Sequence, residues 1–278
     1  MKSIFDSVSE ETSKITTRAY STSFSLGIFC LGRRFHRHIY NIYGFVRLAD
    51  EIVDSFHDYN KEQLLDEFRK DTWNAIERRI SLNPVLNAFQ KTYHQSGITP
   101  DLVSSFLKSM EYDLHKNRYD ADGYNEYIYG SAEVVGLMCL RVFTEGDDNL
   151  YYRLRPYARK LGAAFQKVNF LRDVKDDQEN LGRIYFPGVN LAHMSACDKK
   201  RIETDIEEDF RQALEGIRML PGDTRFGVYV AYMYYRSLFA KIKSLPSARI
   251  MMERIRINNY YKMWLLCYSY CRHSLRLL

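Results

Sequence analysis

The chain has 278 residues, of which 46% are hydrophobic, 14% aromatic and 27% charged, and its formal net charge at pH 7 is +5. This apolar content is ample for a sizeable core, and the 14 glycines and 6 prolines form no linker-like run, so we expect one domain over residues 1–278. The five cysteines are scattered, which argues against a disulfide framework, and the close pair Cys267/Cys271 lacks the histidines of a zinc site.

Apolar residues recur at helical spacing along nearly the whole chain, and no region shows sustained alternation with β-branched enrichment. The pattern predicts an all-α fold with helices over residues 4–18, 21–31, 36–57, 61–79, 84–95, 99–118, 122–144, 148–180, 200–219, 224–245 and 250–275. Asn83-Pro84, Thr99-Pro100 and Leu220-Pro221-Gly222 mark breaks between helices.

Two pairs of aspartates stand four residues apart within predicted helices: Asp50/Asp54 and Asp173/Asp177. Residues four apart lie one turn apart on the same helical face, so each pair brings two negative groups close together. A divalent cation such as Mg²⁺ relieves this repulsion, and it commonly binds one or two carboxylates plus substrate phosphate oxygens. The least helical stretch, residues 181–194, follows the second pair and is placed to form a flap over such a site.

The second pair belongs to a longer polar stripe. Gln166, Asn169, Asp173 and Asp177 fall at offsets 0, 3, 7 and 11 from the first of them, so they share one helical face. Apolar residues at 168, 170, 171 and 174 flank this stripe, which therefore lines a cavity within a helical core. The alternative is that each aspartate pair is a solvated surface feature.

Three segments carry a family resemblance: YGFVRLADEIVD at 43–54, QKVNFLRDVKDD at 166–177 and RIYFP at 183–187. They resemble the signature blocks of the squalene/phytoene synthase family, and the nearest match is to the bacterial phytoene synthases. Further similar blocks lie at residues 20–25, 130–136 and 254–262. The resemblance implies a single-domain, isoprenoid-synthase-like helical bundle around a central cavity.

The resemblance also implies a reaction, the head-to-head (1′-1) condensation of two prenyl diphosphates through a cyclopropylcarbinyl diphosphate, with release of diphosphate. We expect two geranylgeranyl diphosphates as substrates and phytoene as product, because residues 133–138 and 183–187 look most similar to phytoene synthases. The alternative is a C15-using squalene or dehydrosqualene synthase. The family implies Mg²⁺, with Mn²⁺ as an alternative ion, and NADPH is not expected.

Roles follow from this chemistry. The metal ligands would be Asp50, Asp54, Asp173 and Asp177, with Asn169 as a further ligand or as a group that orients water. Arg47 and Arg172 would bind diphosphate, together with Gln166 from the polar stripe. The alternatives are an intrahelical ion pair of Arg47 with Asp50 or Asp54, and a salt bridge from Arg172 to another helix.

Aromatic and hydroxyl side chains complete the expected site. Tyr43 lies seven residues before Asp50 on the same helical face, Phe24 lies in the first similar block, and Tyr235 matches a family active-site tyrosine. Ser21 and Ser23 stand at a predicted helix start, where free amides and hydroxyls favour an anion, or where they simply cap the helix.

The chain departs from the family pattern at three positions. Glu133 stands where many relatives have a glycine, and it would narrow the pocket, join the polar network or face solvent. Tyr20 stands where many relatives have histidine, and its hydroxyl would still donate to phosphate. Ile28 is a medium-sized residue one turn beyond Phe24, which would leave depth for a C20 tail.

The basic charge, with a pI near 8.8, suits anionic substrates and an anionic membrane surface. Residues 260–278 are too charged for a confident membrane span, and we interpret them as a core helix with a basic end, or as a helix resting on the inner membrane surface. The N-terminus lacks the apolar run of a secretory signal, so the cytoplasm is the expected location.

The intact aspartates argue against a family member that has lost turnover and serves in an assembly. Two other rival functions remain open from sequence. One is a basic helical scaffold that binds RNA or acidic lipid, although the chain has no recognised nucleic-acid motif and we expect no nucleic acid as a partner. The other is a head-to-tail prenyltransferase, which usually carries DDxxD runs rather than DEIVD and DVKDD. The oligomeric state is not fixed by the sequence.

Overall fold

The computed structural model describes residues 1–116, 118–179, 182–189, 194–250 and 252–275. The helices are α1 (Lys2–Tyr20), α2 (Thr22–Phe29), α3 (Arg33–Asp54), α4 (Lys61–Arg78), α5 (Pro84–Ser96), α6 (Pro100–His115), α7 (Ala121–Ile128), α8 (Val134–Thr144), α9 (Asp148–Glu179), α10 (Ala196–Met219), α11 (Gly222–Lys243), α12 (Ser247–Ile250) and α13 (Asn259–Ser274). A π-helical turn, Tyr129–Glu133, joins α7 to α8. The described ranges contain no β-strand, only an isolated bridge between Arg118 and Ile184, so the predicted all-α fold is confirmed.

The predicted breaks lie where the prolines place them. Pro84 and Pro100 each occupy the first turn of a helix, where the missing N–H is not needed. The Asn83 side chain caps α5 by accepting the Val85 amide at 3.0 Å. Pro221 separates α10 from α11, and Gly97 ends α5 with φ of 64°.

Two apolar clusters stabilise the bundle. In the first, Phe45 of α3 is fully buried and stacks on Phe89 of α5 with ring centroids 3.9 Å apart. The second is built mainly from α9, α10 and α11 around the buried Phe210. Residues of both clusters, including Ile28 of the first and Phe170 of the second, line one cavity. The core therefore encloses the space that the sequence pattern predicted beside the polar stripe.

The predicted helix over 122–144 is present, but its middle turn, Tyr129–Glu133, is π-helical rather than α-helical. A Cβ on Gly130 would lie 2.6 Å from the Ser105 carbonyl oxygen, and one on Gly162 would lie 2.7 Å from the Ala132 carbonyl oxygen. The turn thus contacts α6 and α9 backbone to backbone. Such single-turn π segments are frequently found at functional sites.

The predicted helix over 250–275 is wrong, since α12 ends at Ile250 and α13 begins at Asn259. Ile255 and Ile257 are buried while Arg254 and Arg256 are exposed, which is the period-two pattern of an extended segment. Asn258 then caps α13 by accepting the Tyr261 amide at 2.8 Å. The extended segment brings Arg254 to the second aspartate pair, as described below.

Smaller corrections concern helix ends. Helix α3 covers 33–54 rather than 36–57, and α6 ends at His115 rather than at residue 118. Helix α10 begins at Ala196 instead of residue 200, because Ser195 caps it by accepting the Asp198 amide at 3.0 Å. In the predicted flap, residues 182–189 and 194 are non-helical, and the rest of the flap lies outside the described residues.

Candidate active site

A cavity of about 550 Å³ lies within the bundle, with walls mainly from α2, α3, α6 and α8 to α11 and smaller contributions from the ends of α1 and α7. Every residue that the sequence placed in the site lines it: Ser21, Ser23, Phe24, Tyr43, Arg47, Asp50, Asp54, Gln166, Asn169, Arg172, Asp173, Asp177 and Tyr235. Apolar side chains, such as the aliphatic Val135 and Ile217 and the aromatic Phe143, cover much of the remaining wall. The cavity therefore combines an acidic region with a hydrocarbon lining.

The first aspartate pair stands at the C-terminal end of α3. Ala49, Ile52 and Val53 are buried on the core side of this helix, so Asp50 and Asp54 project into the cavity. Burial, and then repulsion from Asp54, raise the pKa of Asp50 to about 7. Asp54 accepts a hydrogen bond from Arg183 Nη1 at 2.8 Å.

The second pair lies near the C-terminal end of α9, beside the buried Val168, Leu171 and Val174, as the apolar sectors predicted. Asp173 pairs with Arg172 Nε and Nη2, and with Arg254 Nε at 2.8 Å. Burial, and then repulsion from Asp173, raise the pKa of Asp177 to about 7.

The two pairs are electrostatically coupled to each other. The charge of Asp54 on α3 contributes to the raised pKa of Asp177 on α9. The Arg183 backbone also links them, since its N–H donates to the Asp177 carbonyl oxygen at 2.8 Å while its guanidinium binds Asp54. The two acidic helix ends therefore face a shared volume.

A buried ion pair, which the sequence reasoning missed, supports this region. The side chains of Arg183 and Asp113 are 5% and 4% exposed, and their charged atoms lie 3.4 Å apart. Arg183 also donates to the Asp113 carbonyl oxygen at 2.9 Å, and Tyr127 donates to both carboxylate oxygens of Asp113 at 2.9 Å. Burial is the main cause that raises the pKa of Asp113 to about 7.

The sequence carried weak signals for these missed residues. Asp113 falls three residues after Met110 and seven after Phe106, which puts an acid on the buried face of α6. Arg183 and Arg254 lie within segments that resemble the family, although neither was assigned a role. Their partners on α3 and α9 are visible only in the folded chain.

Both predicted diphosphate-binding arginines have local partners. Arg47 pairs with Glu51 rather than with Asp50 or Asp54, and its guanidinium carbon lies 4.3 Å from the centroid of the Tyr20 ring. Its Nε is buried without a hydrogen-bond partner in the described part of the chain. Arg172 binds the adjacent Asp173, so the expected alternative of a salt bridge to another helix is wrong. The flexible arginine stem allows this contact between sequence neighbours.

Aromatic and amide side chains form a second layer of the wall. Tyr43 stacks on Phe24 with centroids 4.7 Å apart, and Tyr235 stacks on Phe165 at 3.9 Å. The Tyr235 hydroxyl donates to Asn169 Oδ1 at 3.3 Å. These contacts hold ring surfaces at the cavity beside the acidic groups.

The amides of the polar stripe are linked in series. Asn169 Nδ2 donates to Gln166 Oε1 at 3.4 Å, and Gln166 Nε2 donates to Ser131 Oγ at 3.3 Å. Ser21 caps α2 by accepting the Phe24 amide at 3.2 Å, so the capping alternative describes its hydroxyl in this structure. Ser21 and Ser23 both remain part of the cavity wall.

The three departures from the family pattern occupy different places. Glu133 pairs with Arg159 Nε at 2.5 Å, and it is not among the side chains that line the cavity. Tyr20 lines the cavity, and its ring lies beneath the Arg47 guanidinium. Its side chain is about half exposed. Ile28 is buried and forms part of the cavity wall.

The donor groups fit a hard divalent cation. Four carboxylates and one amide carbonyl from two helices border one cavity, and Asp50 and Asp177 have no arginine or lysine at ion-pair distance among the described residues. Burial is the main cause that raises the pKa of both carboxyls, and repulsion within each aspartate pair adds to it. No three acidic, histidine or cysteine side chains of the described residues converge to hold an ion by themselves.

Comparison with known proteins gives a consistent result. A sequence model of the squalene/phytoene synthase family matches residues 17–260. The phytoene synthase of Arthrospira platensis is 28% identical over 262 residues, which is 84% of this chain and 84% of that protein. The 4,4'-diapophytoene synthase of Staphylococcus haemolyticus is 25% identical over 247 residues, 81% of this chain and 84% of that protein.

Solved structures show the same fold. A dehydrosqualene synthase crystallised with a ligand superimposes with a TM-score of 0.83 at 21% identity, covering 98% of both chains. A squalene synthase from Alicyclobacillus acidocaldarius gives a TM-score of 0.74 at 20% identity, covering 85% of this chain and 93% of that one. These similarities support the predicted helical bundle around a central cavity.

Proposed function

The chain belongs to the squalene/phytoene synthase family of prenyltransferases, whose members join prenyl diphosphates head to head, and we propose that it converts two geranylgeranyl diphosphates to phytoene. A cyclopropylcarbinyl diphosphate would be the intermediate. Each half-reaction would release one diphosphate and one proton. The scaffold alternative is set aside, because the matched family is a family of enzymes.

One observation carries the proposal: two acidic helix ends and four arginines border the same cavity as an extensive hydrocarbon lining. The arginines are Arg47, Arg172, Arg183 and Arg254. A prenyl diphosphate has this same division, with an anionic head and an apolar tail. The acidic region suits the metal-bound head, and the aliphatic wall suits the tail.

We assign Asp50, Asp54, Asp173, Asp177 and Asn169 as the groups that would hold Mg²⁺, or Mn²⁺ in its place. When bound, the ions would neutralise charge that develops on the departing diphosphate. Arg47 is suited to bind diphosphate oxygens, since its buried Nε has no partner in the described structure. Arg172 would keep one of its two Asp173 contacts while it turns toward the ligand.

The aromatic walls would protect the carbocation. Its positive charge is stabilised by ring faces, and the stacked pairs Phe24/Tyr43 and Phe165/Tyr235 place such faces beside the acidic region. Burial raises the pKa of Tyr43 to about 12, so this phenol stays protonated and does not add a nucleophile. The released diphosphate would take up the proton lost from the final cation.

A product assay tests the proposal. Purified protein is incubated with Mg²⁺ and C20 diphosphate, with and without NADPH, and the extracted hydrocarbon is identified by mass spectrometry. We expect phytoene in both reactions and none when EDTA replaces Mg²⁺. Diphosphate release without a C40 product, or a product that changes with NADPH, would contradict the assignment.

A C15-using activity is the second candidate, because the Staphylococcus haemolyticus relative named 4,4'-diapophytoene synthase matches nearly as much of the chain as the phytoene synthases do. The same assay decides between the two. A kcat/KM at least about tenfold higher for C15 than for C20 diphosphate would move the assignment to this candidate.

A further inference from the structure

Helix α13 covers the bundle with only one of its faces. Leu265 and Ser269 are buried on that face. The opposite face carries six large exposed side chains, here called the aromatic face: Tyr260, Tyr261, Met263, Trp264, Tyr268 and Tyr270. The expectation of a core helix is therefore wrong for this half of its surface. No helix in the described part of the chain is long and apolar enough to cross a membrane.

The aromatic face is continuous and uncharged. The Trp264 ring stacks between Tyr261 and Tyr268, with centroid distances of 5.4 and 5.2 Å. Tyr260 is 90% exposed and Trp264 is 53% exposed. Among the described side chains of α13, each exposed one is uncharged. Exposed patches of this kind mark interaction sites, and tyrosine and tryptophan favour the boundary between water and lipid.

Every charged residue from Arg254 to the described end of α13 is a cation. Residues 254–275 include Arg254, Arg256, Lys262 and Arg272, and they include no aspartate or glutamate. Such a segment is complementary to an anionic surface. A two-fold contact between copies of this chain would instead bring like charges together, since both copies would present the same residues.

Helix α13 adjoins the candidate active site through the side that faces the bundle. Lys262 Nζ lies 3.3 Å from the hydroxyl of Thr22. The sequence neighbours of Thr22, Ser21 and Ser23, both line the cavity. The same ammonium lies 5.4 Å from the centroid of Tyr234, another lining residue. Arg254, which precedes α13, pairs with Asp173.

We propose that the aromatic face docks α13 onto a bilayer containing anionic lipid, with the helix parallel to the membrane plane. The aromatic rings would enter the headgroup region, and Arg256 and Arg272, the cations beside this face that do not contact the cavity wall, would meet the lipid phosphates. The benefit rests on the proposed function: a long-chain prenyl substrate and its hydrocarbon product would exchange with lipid next to the cavity.

Tryptophan fluorescence provides a direct test. The chain has two tryptophans, so Trp73→Phe leaves Trp264 as the sole reporter. We expect the emission of this variant to shift to shorter wavelength, and acrylamide quenching to fall, on addition of phosphatidylcholine vesicles with 30% phosphatidylglycerol. Unchanged emission together with absence of co-sedimentation would overturn the proposal.

Paired variants locate the contact. Trp264→Ser with Tyr268→Ser should lower the vesicle partition coefficient about tenfold or more, because two apolar anchors are lost. The matched control, Leu82→Ser with Tyr152→Ser, removes two exposed apolar groups from other parts of the surface and should bind as wild type does. Arg256→Gln should lower binding about fivefold on anionic vesicles, equivalent to about 1 kcal/mol, and little on neutral ones.

Two further readouts separate this proposal from its rivals. Activity on detergent-solubilised prenyl diphosphate should be the same for the Trp264/Tyr268 variant and wild type. This assay tests the proposed function, whereas vesicle sedimentation tests only membrane binding, so the two proposals can fail separately. Equal vesicle binding by that variant would refute the assigned face. A wild-type dimer that the variant converts to a monomer, without vesicle binding, would show that the face joins two copies and would likewise refute it.

Discussion

Helices α3 and α9 each carry two cavity-facing aspartates four residues apart, and the described structure gives only one carboxylate of each pair an arginine partner. On α3 the paired residue is Asp54, whose arginine comes from a segment 129 positions along the chain. On α9 the paired residue is Asp173, which binds both its neighbour Arg172 and the distant Arg254. Asp50 and Asp177 are left to repel their neighbours.

The comparison indicates that the two carboxylates of each pair have different roles. The arginine-bound carboxylate is charge-balanced and fixes the position of a loop. The other has no arginine or lysine at ion-pair distance among the described residues, and we propose that a cation would stabilise its ionised form. The two helices differ in where the balancing arginine lies. Asp54 of α3 pairs with Arg183 from a distant segment, whereas Asp173 of α9 pairs partly with Arg172 of the same helix. Substitutions can separate the two roles.

The largest effect should come from the unbalanced carboxylates. Asp50→Asn and Asp177→Asn each remove a proposed cation ligand, so we expect diphosphate release in the presence of Mg²⁺ to fall by about 10³-fold. Coupled pyrophosphatase assays measure this loss. Asp176→Asn is the matched control, because this residue neighbours Asp177 and does not line the cavity. Full activity in either ligand variant, with unchanged helical circular dichroism, would refute the metal role.

The buried pair that supports α3 should give the next largest effect. Arg183→Gln leaves Asp113 buried without its cation, and we expect a loss of about 3 kcal/mol in the free energy of unfolding. Asp113→Asn in the same chain should restore part of it, because the buried charge is then removed as well. Urea titrations of the four proteins give the coupling energy. Additive single effects would show that the two residues do not act as a pair.

A smaller effect, opposite in sign for the two members of one pair, should appear in the stability of the metal-free protein. Asp173→Asn leaves Arg172 and Arg254 without their carboxylate and should lower the free energy of unfolding by about 1–2 kcal/mol. Asp177→Asn removes a buried charge that repels Asp173, and it should raise that free energy by about 1 kcal/mol. Urea unfolding at pH 8 with EDTA measures both. Changes of the same sign would contradict the proposed division within the pair.

Much of the fold could be predicted from local sequence. Helical periodicity predicted the all-α bundle, prolines 84, 100 and 221 predicted breaks, and offsets along α9 put Gln166, Asn169, Asp173 and Asp177 on one cavity face. These features depend on neighbours within a few turns of helix, so the sequence contains them directly.

The missed features depend on contacts between distant segments. The π-helical turn requires Gly162 of α9 to approach the Ala132 carbonyl, and the role of Arg183 requires α6 and α3 to meet. The alternation from Arg254 to Ile257 was present in the sequence, but it is too short to outweigh the helical pattern on either side. Exposure of the aromatic face was missed because an aromatic helix face has the same composition whether it packs against protein or lipid.

The smallest expected effect tests α3 away from its aspartates. His38 is partly buried, with Nδ1 3.1 Å from the Thr92 hydroxyl oxygen, and burial followed by repulsion from Arg37 lowers its pKa from 6.5 to about 4. The unfolded chain therefore takes up the proton first as pH falls. The contribution of neutral His38 to stability is complete above pH 6.5 and is lost progressively toward pH 4.

Because His38 is partly exposed, we expect this loss to be about 1 kcal/mol rather than the full value of its pKa shift. The free energy of unfolding of wild type should thus fall by that much more than that of His38→Gln between pH 7 and pH 4.5. Titrating carboxylates contribute equally to both proteins, so the difference isolates the histidine. Parallel pH profiles would mean that protonation of His38 does not lower the free energy of unfolding. The acid sensitivity of the chain would then come from its carboxylates alone.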